Sequence, residues 1–243
     1  MIKIEELQPK LTDFFQQTIQ SNNIGSAYLL YGSDGIGKNL LALDFAEKLS
    51  GIDKFNFTNN PNIFFLFPLS SEFYKKLFSG KINNEENYNF WKQLVNAKLL
   101  NQDIQNELSN SFPIESIRNI KQQIYFKSES RKVVFIYNAE LLSSGSKESA
   151  NALLKILEEP PAKTTFILIC KNIQQVPSTI VSRCIQVKIP KPHLRDFFSQ
   201  LNHPSFTFEE FSLLAQNNQS NLSLLKSLSD RDYIELVDSF YQL

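Results

Sequence analysis

Apolar positions recur at helical spacing between residues 7 and 20, through Leu11, Phe14, Phe15 and Ile19, and predict a helix there. Ala27–Tyr31 is a short apolar run and predicts a strand. Gly32 to Lys38 follows as a glycine-containing loop. Residues 39–49 then continue as an amphipathic helix through Leu40, Leu43, Phe45, Ala46 and Leu49. Buried strands are predicted over 63–68 and 165–170, further strands over 132–137 and 185–189, and helices over 114–125 and 145–157. The last helix must stop at Pro160 and Pro161, because proline lacks the amide and restricts the residue before it. Strands alternating with helices predict an α/β domain over 1–189, with a parallel sheet flanked by helices on both faces. Residues 70–112 are polar and Asn-rich, with a helical pattern at Phe90, Leu94 and Leu99, and read as an insertion. Pro190 to Pro192 marks a boundary, and 190–243 reads as a small all-helical domain.

The stretch from strand to helix at 27–49 also carries candidate chemistry. Gly32-Ser33-Asp34-Gly35-Ile36-Gly37-Lys38-Asn39 matches G-x4-G-K, with Asn39 where Ser or Thr completes the motif. Strand, glycine loop and helix in that order suit a phosphate-binding loop. The glycines let backbone amides turn toward phosphate, and the helix N-terminus adds partial positive charge. Lys38 would reach the outer phosphates. The hydroxyl that ligates Mg²⁺ is missing at Asn39, and a carboxamide does not replace it in that geometry. Gly32, Gly35, Gly37, Lys38 and Asn39 are therefore a degenerate phosphate loop, and whether ATP or ADP binds there stays open at this point.

Composition narrows the classes. The chain has 243 residues, with 25 basic and 25 acidic side chains. Zero net charge gives no electrostatic case for wrapping nucleic acid. Two groups of basic residues, Lys75, Lys76, Lys81 and Lys92, and Arg118, Lys121 and Lys127, read as solvated surface, with DNA-backbone contact the alternative. Two cysteines, Cys170 and Cys184, build no disulfide framework and suit a reducing cytoplasm. The N-terminus lacks the apolar run of a signal peptide, and no stretch approaches a membrane span. His193 and His203 read as surface residues.

The most specific stretch is 151–184. It carries Asn151-Ala152-Leu153-Leu154-Lys155, then Glu158-Glu159-Pro160-Pro161, a strand, and Ser182-Arg183-Cys184. This order resembles the clamp-loader subunits of bacterial DNA polymerase III, members of the AAA+ superfamily. The departures elsewhere resemble the delta-prime type, which does not hydrolyse ATP. The resemblance covers about residues 5–230, is strongest over 114–190, and is weak over 70–112.

The resemblance implies an AAA+ P-loop domain followed by a helical lid, and it implies roles for particular residues. Arg183 would project across a subunit boundary to a neighbour's γ-phosphate, where a permanently charged planar guanidinium can bind phosphate oxygens bidentately. The alternative is a surface arginine in a salt bridge. ATPase members carry Asp-Glu where this chain has Tyr137 and Asn138, and neither can ligate a metal or act as a base. Glu140, two residues on, reads as facing the wrong way to substitute. Lys171 and Asn172 stand where a phosphate-sensing threonine would be, and Ser220 to Leu224 lacks the arginine of the second sensor.

Family members often carry a four-cysteine zinc module, but residues 50–112 contain no Cys or His, so that site is excluded and no metal is required. Asn60-Pro61-Asn62 stands where the delta-prime strand begins with His-Pro-Asp. The chain stops at Leu243, after the expected lid, so the family's collar domain is expected to be missing. The implied partners are tau/gamma and delta subunits, with sliding clamp and primed DNA met through the complex. An active tau/gamma-type ATPase and a free-standing DNA-binding module are the competing readings.

Overall fold

The computed structural model describes residues 5, 8–33, 36–53, 60–78, 109–144, 147–191, 193, 195 and 198. Five strands form one sheet: β1 (Ala27–Tyr31), β2 (Ile63–Leu66), β3 (Lys132–Tyr137), β4 (Thr164–Cys170) and β5 (Ile185–Lys188). Their order across the sheet is β2-β3-β4-β1-β5, and every pairing is parallel. All strand C-termini therefore lie along one edge and all N-termini along the other. Among the described residues the helices are α1 (Pro9–Gln20), α2 (Lys38–Ser50), α3 (Ser71–Phe78), α4 (Ile114–Ile124), α5 (Lys147–Glu158) and the single turn α6 (Ser178–Val181).

Alternation along the strands divides their side chains between two apolar layers. Tyr28, Leu30, Val133, Phe135, Tyr137, Ile167 and Ile169 pack with Phe15 of α1 and Leu41, Phe45 and Leu49 of α2. Leu29, Val134, Ile136, Phe166, Leu168 and Cys170 point to the other face, against Ile117, Ile120 and Ile124 of α4 and Leu153, Ile156 and Leu157 of α5. Both faces of the central strands are thus covered, which is why β1 and β4 read as near-continuous apolar runs, while the edge strand β5 is mostly exposed. The first layer is tied by aromatic contacts. Phe15 stacks on Phe45 with centroids 4.0 Å apart, and Tyr28 meets Phe45 edge-on at 4.9 Å. The Tyr28 hydroxyl accepts a hydrogen bond from the Gly25 amide at 2.8 Å, so its polar end is satisfied.

The stretch read as an insertion from 70 to 112 is anchored at both ends. It opens with α3, whose Tyr74 is buried and accepts a hydrogen bond from Asn119 Nδ2 at 2.7 Å. Ser109 N donates to Pro68 O at 2.9 Å, so the excursion leaves and returns at one place. Phe112 is buried, and its carbonyl accepts from Ser149 Oγ at 2.7 Å. The helical pattern at Phe90, Leu94 and Leu99, the part of the expected helical domain beyond residue 198, and Ser220 to Leu224 lie outside the described residues.

Candidate functional site

The phosphate-type loop leaves the C-terminal edge of the sheet from β1 and enters α2. Gly32 has φ +154, and a Cβ there would come within 2.7 Å of the Ile189 carbonyl oxygen and 2.6 Å of Ile36 Cδ1. Only glycine fits without displacing backbone. Gly37 adopts a left-handed φ of 85 and sets the first turn of α2, where Leu41 N bonds to Gly37 O at 2.9 Å. Lys38 is 8% exposed. Its ammonium donates to Gly32 O at 2.8 Å and to Ser33 O, folding back over the loop. Asn39 is half-buried in the first turn of α2. Gly35 lies outside the described residues.

At the same edge, β3 ends in Tyr137 and Asn138. Tyr137 is buried on the α2 side of the sheet and stacks on Phe67, centroids 4.8 Å apart and planes 7° apart. Burial pushes its phenol pKa up. Asn138 is left-handed (φ 54, ψ 50) and opens the 3-10 turn 139–143. Both residues hold the strand end in place by packing and turn geometry. Asn172, after β4, accepts a hydrogen bond from Gln174 N at 3.0 Å and caps a short turn.

Glu140 is the group that strand alternation does not anticipate. The left-handed Asn138 ends the alternation, and the carboxylate turns back onto the sheet edge at 9% exposure. Its Oε1 is 3.4 Å from Lys171 N, while its Oε2 is buried with no hydrogen-bond partner among the described residues. The Cys170 thiol is pushed up to about 12, first by burial and then by the Glu140 carboxylate, with Lys38 acting in the opposite sense. Burial also pushes the Cys184 thiol up to about 12. Both thiols are inert packing groups at neutral pH. Among the described residues no cluster of His, Cys, Asp or Glu could hold a metal ion. Among them, too, no helix is long and apolar enough to cross a membrane.

Arg183 lies on the opposite edge of the sheet. Ile180 is fully buried and anchors the turn, Ser182 Oγ donates to Thr179 O at 2.9 Å, and Arg183 N donates to Ile180 O at 3.0 Å. Ile185 then opens β5 beside Tyr28, whereas Ile189 N bonds to Tyr31 O beside the phosphate loop. Four strand steps, about 13 Å, separate Ile185 from that end, and Arg183 precedes Ile185 by two residues. The Arg183 side chain is 49% exposed. Nη2 lies 3.2 Å from Oε1 of Glu158, itself 43% exposed. The structure thus brings together Gly32, Gly37, Lys38 and Asn39 with the ends of β3 and β4, and it holds Arg183 apart from them. Glu158 as the partner of Arg183 had no signal in the sequence, since 25 positions separate the two.

The Arg118, Lys121 and Lys127 side chains are exposed, and Arg118 and Lys121 lie on α4. His193 is exposed as expected.

Comparison with known proteins bears on the family and the fold. One relative, DNA polymerase III subunit delta' of Buchnera aphidicola (subspecies Schizaphis graminum), is 29% identical over 165 residues, 67% of this chain and 43% of the relative. The gamma subunit of the same organism is 37% identical over 122 residues, 48% of this chain and 33% of that one. The chain therefore spans less than half the length of either relative. Among solved structures, a DNA polymerase III gamma subunit-related protein of Thermotoga maritima superimposes with a TM-score of 0.51 at 16% identity, over 96% of this chain and 77% of that chain. The fold is accordingly the AAA+ α/β fold. A family model described as DNA polymerase III, delta subunit matches residues 7–193, and the chain belongs to that family.

Proposed function

We propose that the protein is a non-hydrolysing, delta-prime-like subunit of the bacterial DNA polymerase III clamp loader, lending Arg183 to the nucleotide site of a neighbouring ATPase subunit. It would work beside tau/gamma and delta subunits in the cytoplasm, helping to place the sliding clamp on primed DNA. The observation that carries this reading is the separation of the two motifs. Arg183 is half-exposed on the N-terminal edge of the sheet, and its own phosphate loop lies on the C-terminal edge. A guanidinium so placed serves phosphate only on another chain.

The groups at the chain's own loop support the non-hydrolysing half. Asn39 offers no hydroxyl for Mg²⁺, and Tyr137 is packed into the core where a metal-ligating carboxylate would stand. Lys38 is already engaged with two loop carbonyls. On this reading the subunit needs neither a nucleotide of its own nor zinc.

Co-purification tests assembly. The tagged chain should capture tau/gamma and delta subunits from a mixture of purified components, and the product should elute as one complex on sizing. Failure to associate with any of them, with or without ATP, would refute the proposal.

A further inference from the structure

The partner of Arg183 is itself an oddly placed charge. Glu158 is the last residue of α5, where the helix carbonyls present partial negative charge. A carboxylate there is disfavoured by the helix end, and a cation beside it relieves both. The cation is Arg183, held among the described residues by one contact, Nη2 to Oε1 at 3.2 Å. Two further features make this contact a restraint that can be released. Both side chains are between two-fifths and one-half exposed, so water and salt screen the pair. The backbone beneath Arg183 is fixed independently, by buried Ile180 and the hydrogen bonds of Ser182 and Arg183 to the α6 turn. Loss of Glu158 would free the side chain without moving its anchor.

We infer that Glu158 is a positioning residue that holds Arg183 against the end of α5 and gives it up to the terminal phosphate of a neighbour's nucleotide. The inference rests on the proposed role of Arg183 in a neighbouring site. A phosphate carries more negative charge than a carboxylate and can accept two parallel bonds from the guanidinium, so it outcompetes a single exposed carboxylate contact. Release from Glu158 is then a small cost set against docking on a triphosphate. A diphosphate neighbour, without the terminal group, leaves Arg183 on Glu158. The pair would thereby add to discrimination between the two nucleotide states of the neighbour.

Equilibrium binding of the labelled chain to the remaining clamp-loader subunits tests this, in ATPγS and in ADP, with wild-type, Glu158→Gln, Arg183→Ala and double-variant chains. Glutamine keeps the size and polarity of the side chain while removing its charge. With ATPγS, Glu158→Gln should bind about 1.5- to 5-fold more tightly than wild type, the range expected from one exposed ion pair. With ADP it should bind as wild type does. In the Arg183→Ala background the glutamine substitution should change nothing in either nucleotide. The ATPγS gain should shrink as salt is raised.

The failures are distinguishable. If Arg183→Ala weakens binding in ATPγS but Glu158→Gln leaves affinity unchanged or lowers it, the role of Arg183 stands and the inference about Glu158 falls. Tighter binding by Glu158→Gln that persists in ADP or without Arg183 is a general charge effect and also overturns it. If Arg183→Ala binds like wild type in ATPγS, the proposed function of Arg183 falls, and the inference with it.

Discussion

The ammonium of Lys38 lies 2.8 Å from the carbonyl oxygen of Gly32, the residue that opens its own loop. This contact, with a second to Ser33 O, closes the loop from within. The lysine is 8% exposed, so its charge is largely withdrawn from water and compensated by carbonyls. Lys38 is thus a staple of the loop whatever else it meets.

Lys38→Met should therefore destabilise the protein without any nucleotide present. Hydrogen bonds to a charged group contribute roughly 1.5–3 kcal/mol when the partners are buried, and these are part-buried, so a loss of about 1–2 kcal/mol is expected. Urea unfolding in nucleotide-free buffer measures it. An unchanged midpoint would mean that the loop carbonyls do not need the ammonium.

Stability should fall as pH rises from about 9 towards 12. The Cys170 and Cys184 thiols are pushed up to about 12 by burial, as is the Tyr74 phenol. In the unfolded chain these groups lose their protons at lower pH than in the folded one. The folded state then binds more protons across the window, so its advantage is full below the unfolded thiol value and is lost as pH climbs through the folded one. Chemical denaturation at intervals from pH 8 to 11 should show a steady fall, and Ellman's reagent should react slowly with the native protein at pH 8. Fast labelling of both thiols before unfolding would contradict their burial.

The isolated chain should show no Mg²⁺-dependent ATP turnover, and Asn39→Thr should not create it. Threonine restores one metal ligand, but Tyr137 still fills the place of the missing carboxylate and is stacked on Phe67. Phosphate release by the purified single and wild-type chains checks this. Turnover above background that disappears in Lys38→Ala would reveal a working site.

Much of this architecture was legible in the sequence, and the exceptions have physical causes. β1 and β3 match the predicted 27–31 and 132–137 to the residue, because β1 and the part of β3 after Lys132 are apolar runs covered on both faces. β2 stops at Leu66, short of the predicted 68, since Pro68 has no amide for the ladder, while Phe67 keeps to the α2 side and stacks on Tyr137 as Phe65 stacks on Phe135. Helix α3 is not legible within the polar stretch; among its described side chains Tyr74 is buried, its hydroxyl paired with Asn119.

Around the candidate site, Gly32, Gly37 and Lys38 could be read from spacing alone, as glycine geometry and loop length are local properties. Glu140 could not, because the left-handed Asn138 cancels the alternation that would locate it. The Arg183–Glu158 pair is a tertiary contact between two elements, and no periodicity relates the two positions.

The central claim is that Arg183 acts on a neighbour's nucleotide, and steady-state ATPase of the assembled complex with clamp and primed DNA tests it most directly. Complexes would carry wild-type, Arg183→Ala or Arg183→Lys chains, with assembly verified by sizing. Arginine fingers contribute roughly 10³–10⁵ in rate at the site they serve. Arg183→Ala should accordingly silence the one facing site and lower the total rate in part, while leaving the isolated chain's stability within about 0.5 kcal/mol of wild type. Arg183→Lys should rescue poorly, because an ammonium restores the charge but not the planar fork. Full DNA-stimulated activity in the complex carrying Arg183→Ala would contradict the account and leave Arg183 with its surface ion pair to Glu158 alone.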